Sequence, residues 1–167
     1  GASINIRQGE TIFARLEEIR INLNKGQVDL GGGFDELGNK IYRLIVDIDN
    51  YNKGIHTANR WKEDAAGYLN EIYMRKYRFI KTSFDMLSQK ITANLKMLDN
   101  PLEKREAVAK KLKEMRIELA GLSERLNSNS FSPHYRFVMG DRDIKNKYSE
   151  LGTEMKNSID VLNSKNL

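Results

Sequence analysis

The chain has 167 residues, with 40% apolar and 31% charged side chains, two prolines and no cysteine. That length favours one domain with at most an appendage, and burial of roughly 70% of the unfolded surface allows a real core. Without thiols there are no disulfides, thiolate metal sites or cysteine nucleophiles, and no run approaches the ~18 apolar residues of a membrane span.

Net charge is +5, from 28 basic and 23 acidic residues. Residues 61–127 hold 14 basic and 10 acidic side chains, so four of the five excess charges lie there. A pI near 9.3 suits an acidic protein partner better than a nucleic acid, which calls for a stronger basic bias. Gly1-Ala2-Ser3 reads as the remnant of a cleaved tag, with the natural N-terminus upstream.

Ile12, Leu16, Ile19 and Leu23 recur at 4-3-4 spacing and predict a short first helix over about 8–25, closed near Gly26. Gly31-Gly32-Gly33 predicts a hinge, leaving that helix as a loosely docked appendage. The expected division is thus a scar at 1–3, helix and hinge at 4–30, and a helical bundle at 31–167. A second helix opens near Phe34 and carries Leu37, Ile41, Leu44, Ile45, Ile48, Tyr51 and Ile55, with a break expected within 53–62.

The third helix, about 62–98, has Leu69, Tyr73, Tyr77, Ile80, Phe84, Leu87, Ile91, Leu95 and Leu98 on its main face. Asn100-Pro101 breaks the chain and predicts a helix start at 101. Val108, Leu112, Met115, Leu119, Leu122 and Leu126 then form a narrow coiled-coil-like seam over 101–126. The short connection predicts an antiparallel hairpin with the third helix. Residues 127–140 read as a loop, and a last helix from Asp141 or Asp143 carries Ile144, Tyr148, Leu151, Met155, Ile159 and Leu162. The expected fold is all-α: a four-helix-bundle-like domain with an additional short N-terminal helix.

No catalytic constellation appears. His56 and His134 sit in separate irregular stretches and read as surface or loop-packing residues, with no metal-ligand spacing between them. The triglycine lacks phosphate-loop spacing, and no serine sits in an elbow motif. The expectation is a protein that is not an enzyme and needs no cofactor or metal.

Binding features are more informative. Arg75, Arg78 and Lys81 span an arc of about 120° on the third helix, either a solvated face or a contact for an acidic surface. Beside them Ile72, Phe79, Met86 and Ala93 repeat every seven residues, with Met97 alongside. This second line either meets a neighbouring helix or, left exposed, forms an aromatic, methionine and arginine patch for a partner. The 131–139 stretch packs Phe131, Tyr135, Phe137, Val138 and Met139 into one connection, which must cover a bundle end or face a partner. Candidate partner-binding residues are therefore Arg75, Arg78, Phe79, Lys81, Tyr135, Arg136 and Phe137. Trp61 reads as an anchoring core or boundary residue.

Glu36-Leu37-Gly38-Asn39-Lys40-Ile41, Tyr51-Asn52-Lys53 and Trp61 to Phe79, with abundant Asn, Lys and Ile, resemble the C-terminal helical domains of Borrelia outer-surface lipoproteins. Closest in style are the OspE/F-like leader-peptide (Elp, within Erp) proteins and the fibronectin-binding lipoproteins with a complement-inhibitory domain. The resemblance implies a surface protein whose lipid-bearing cysteine lies upstream, anchored to the outer membrane. It also implies a helical domain that binds a complement protease, C1r or C1s, and blocks the classical pathway. Other spirochaetal helical lipoproteins bind factor H or fibronectin, which stay open as ligands. A self-associating structural or adaptor bundle is the alternative, and nucleic acid is not an expected partner.

Overall fold

A computed structural model describes residues 2–26, 33–54 and 58–167, with side chains from residue 6 onward. Six helices form among them: α1 (Ala2–Asn24), α2 (Gly33–Asn52), α3 (Asn59–Leu98), α4 (Arg105–Asn127), α5 (Pro133–Met139) and α6 (Arg142–Asn163). No strand occurs among the described residues, in keeping with the all-α expectation. Gly31, Gly32, Ile55 and His56 lie outside the described residues, and Gly33 of the expected hinge is the first residue of α2.

Two compact units result. The first comprises Gly1–Arg75 and Phe131–Asp141, and the second comprises Lys76–Ser130 and Arg142–Leu167. The 40-residue α3, about 60 Å long at 1.5 Å per residue, contributes to both.

In the first unit α1 and α2 run antiparallel, tied by Arg15 to Asp47 at 2.6 Å and Lys40 to Glu18 at 3.8 Å. The first helix is longer than the expected span of about 8–25, and it packs on α2. α1 has 23 residues, and Ile12, Leu16, Ile19 and Leu23 are each no more than 6% exposed. The 4-3-4 stripe is continuous enough to need full cover, and the buried Ile41, Leu44, Ile45 and Ile48 of α2 face the same core. α3 returns antiparallel to α2, with Lys62 on Asp49 at 2.8 Å and the Trp61 and Tyr51 rings 5.9 Å apart.

In the second unit α3 and α4 form the expected antiparallel hairpin. Asn94 meets Met115, the Phe79 ring meets Arg125, and Lys76 meets Ser128. α6 runs alongside α3, with Tyr77 against Tyr148 and Lys81 near Glu154, and it packs antiparallel on α4. Leu112, Leu119, Leu126, Leu151 and Met155 fill this core at 1% exposure or less.

Two boundaries differ from the sequence expectation. α4 starts at Arg105 instead of 101, because the Asn100 side chain accepts from the Leu102 N–H and holds residues 100–103 in a turn. The expected loop at 127–140 contains α5, seven residues opened by Pro133, too short for an apolar repeat to register.

Leu112 is completely buried, so Leu112→Ala is expected to cost roughly 2–5 kcal/mol, read as a lower urea midpoint. Leu102→Ala, at a side chain 92% exposed, serves as the control and is expected to change stability by less than about 0.5 kcal/mol.

Candidate protein-binding surface

Large apolar side chains left in water are candidates for contact where they cluster. In the first unit Ile6, Phe13, Ile21 and Val46 are exposed on α1 and α2, and Phe131 and Phe137 before and on α5. Asn129, at φ +62°, turns the chain after α4, in the left-handed region that asparagine tolerates better than most residues. Phe131 follows at 87% exposure. Pro133 then fixes the first turn of α5, and His134 and Val138, four residues apart, point into the unit and are buried. Their burial leaves Arg136 and Phe137 outward, with Phe137 41% exposed.

The ledge is held by one polar anchor. Tyr73 Oη and His134 Nδ1 share a 2.6 Å hydrogen bond between two buried side chains. A pair so removed from water costs little only while both partners stay joined. Tyr42 packs beside it, 6.5 Å from the His134 ring and 6.1 Å from Phe137, and Tyr135 meets Tyr73 edge-on at 6.0 Å. Gly38 on α2 makes room. A Cβ there would lie 3.2 Å from the Tyr73 ring and 3.4 Å from His134 Nδ1.

Burial, then the Asp35 charge and Tyr135, push the Tyr73 hydroxyl far above its ordinary range, and burial alone raises Tyr135. Both phenols therefore stay neutral. Arg136 is exposed and makes no ion pair among the described residues. The candidate surface is thus Phe137 beside Arg136 on a short helix locked from beneath, with the exposed Phe131 in the segment just before it.

The sequence-derived candidates divide between the two units. Arg75, Tyr135, Arg136 and Phe137 belong to the first unit, whereas Arg78, Phe79 and Lys81 belong to the second. Arg75 binds Glu71 at 3.0 Å, and Lys81 binds Asp85 at 3.0 Å with Glu154 at 3.6 Å. These carboxylates raise the Lys81 pKa and offset much of the arc's positive field. Arg78 remains exposed.

The second apolar line of α3 splits along its length. Ile72 is fully buried, and Phe79 is half-buried with the Arg125 guanidinium 4.9 Å from its ring centre. Met86, Ala93 and Met97 are exposed. In the 131–139 stretch Val138 is buried in the core, while Phe131 and Phe137 are exposed.

Sequence reasoning did not single out Gly38 or Tyr42, and it gave His134 no buried partner. The one available signal was a glycine on the apolar face of the second helix, where a missing side chain implies a close neighbour. Among the described residues no group of three or more His, Asp or Glu is placed to hold a metal ion. No helix among them is long and apolar enough to cross a membrane.

Gly38→Leu is expected to destabilise by roughly 1–3 kcal/mol through forced displacement of Tyr73 and His134, seen as a lower thermal midpoint. Alkaline unfolding tests the anchor differently. Tyr73 has a folded pKa above the unfolded one, so above pH 10 the unfolded chain sheds a proton that the folded chain keeps. Stability should therefore fall with rising pH by up to ~1.4 kcal/mol per unit from this residue. Tyr73→Phe should flatten that slope while lowering stability at neutral pH. No family model, curated protein or solved structure matches this chain.

Proposed function

We propose that this chain is a non-enzymatic, surface-exposed module that binds a host protein. The observation that carries the reading is Phe137, 41% exposed beside Arg136 on a helix anchored by a buried hydrogen bond, with Phe131, 87% exposed, just before that helix. Aromatic residues and arginine dominate the energetic centres of protein interfaces, and rigid presentation lowers the ordering cost of binding. An arginine without an internal ion pair favours a partner whose facing surface is acidic.

The preferred partner is a complement protease, C1r or C1s, bound so that the classical pathway is blocked. That choice rests on the resemblance to the Borrelia surface lipoproteins, as do placement on the cell outer surface and a lipid anchor carried upstream. The reading assumes a scaffold of the four-helix-bundle kind and needs no cofactor, metal or nucleic acid. Factor H and fibronectin are the alternative host ligands.

Self-association as a structural or adaptor bundle rested on the α4 seam. Val108, Leu112, Leu119, Leu122 and Leu126 are buried, and α4 packs on α6, so that reading would need another face.

Surface plasmon resonance against immobilised C1r, C1s, factor H and fibronectin tests the proposal. Saturable binding to C1r or C1s is the expected result, and absence of binding to all four overturns it. Arg136→Glu combined with Phe137→Ala should weaken that binding by about tenfold or more. The helical circular dichroism should stay unchanged, since both side chains are exposed.

A further inference from the structure

On the first unit, away from α5, α1 and the start of α3 enclose a cleft of about 300 Å³. Phe13 and Glu17, four residues apart on α1, line one wall, and Arg60, Trp61, Asp64 and Tyr68 of α3 line the other. Trp61, Asp64 and Tyr68 fall at i, i+3 and i+7, hence on one face of their helix. Leu16, buried at 4% exposure, supplies the remaining apolar lining.

The aromatic residues do not simply fill core. Phe13 is 53% exposed although the stripe beside it on α1 is buried. Its ring lies 6.4 Å from that of Trp61 with the planes at 45°, and both residues line the cleft. Tyr51 buttresses Trp61 at 5.9 Å, and α1 passes close to both rings at Gly9, where a Cβ would lie 3.0 Å from Tyr51 Oη.

Charge completes the picture. Glu17 is held by Arg20 through contacts of 3.2 and 2.7 Å, which lower its pKa and keep it ionised. Asp64 makes no ion pair among the described residues. Both carboxylates push up the pKa of the Tyr68 hydroxyl, after burial and against Arg20, which places them around the same phenol. Glu17 is thus already offset by Arg20, and with Arg60 as the one cation in the lining, Asp64 is the carboxylate left to meet an incoming cation.

Three aromatic side chains and the Asp64 carboxylate around a small volume favour a cation whose charge is spread over an apolar surface. A compact ammonium or a metal ion holds its water too tightly to trade it for ring faces, whereas a trimethylammonium group does not. The volume sits at the lower limit of small-molecule sites, matching a headgroup better than a larger ligand. We infer that this cleft binds a choline-type quaternary ammonium group, bordered by Phe13, Trp61 and Tyr68 and neutralised by Asp64. Arg60 lies where a phosphate linked to that ammonium would find a counter-ion.

Trp61 is the sole tryptophan of the chain, so its fluorescence reports this cleft directly. The intact chain is titrated with choline chloride against sodium chloride of matched ionic strength, and with the neutral isostere in which carbon replaces nitrogen. A saturable change with choline, about tenfold tighter than with the isostere, is expected. Asp64→Asn should bring the two ligands close together, and the exposed position of Asp64 keeps the fold intact. No saturable change, equal affinity for the isostere, or an unaffected Asp64→Asn variant would each overturn the inference. Phosphocholine separates the sources. Tighter binding than choline, with the gain lost in Arg60→Gln, assigns a headgroup, and weaker or equal binding assigns a free ammonium, both within the same site.

Discussion

A helix of 40 residues with an apolar face along most of its length draws most of its stability from packing, and α3 depends on other helices to cover that face. That requirement organises the molecule. Leu69, Ile72 and Tyr73 are covered in the first unit, and Ile80, Phe84, Leu87 and Ile91 in the second, all at 5% exposure or less. Each unit is a small set of helices closed over its own stretch of α3. The hairpin contacts from Asn94–Met115 to Lys76–Ser128 keep one antiparallel register along the second of these stretches.

The cover over the first stretch is finished by something smaller than a bundle helix. α5 contributes only His134 and Val138 to the interior, so little apolar area holds it in place. The Tyr73–His134 hydrogen bond, the space left at Gly38 and the rings of Tyr42 and Tyr135 supply the rest. Direction matters more here than strength. A short helix pinned by a polar bond has one orientation, and that orientation turns Phe137 and Arg136 outward.

Electrostatics divides the basic residues into two kinds. Arg75 and Lys81 lie within 3.0 Å of carboxylates one turn away, so their charges act locally. Such exposed pairs contribute little to stability, about 0–1 kcal/mol each, yet they flatten the field that an approaching partner feels. Arg136 keeps its field, as does Asp64 on the opposite side of the charge balance. The net +5 of the chain therefore describes neither surface well.

Helix number and type were largely legible in the spacing of apolar residues, because burial of one face at a 3.6-residue period leaves its mark directly on the chain. Four stripes, on α2, α3, α4 and α6, read nearly as they fold. α1 showed the same mark in Ile12, Leu16, Ile19 and Leu23, but whether a stripe finds a partner is not written in the stripe itself. α5 left no mark, since two turns held by a tyrosine 61 positions away have no local period to display. For the candidate surface at α5, residue identities were visible as Tyr135, Arg136 and Phe137, whereas exposure was not. Side-chain type sets what a residue can offer; only the tertiary structure determined which arginines already had a carboxylate within reach and which aromatic rings were left facing water.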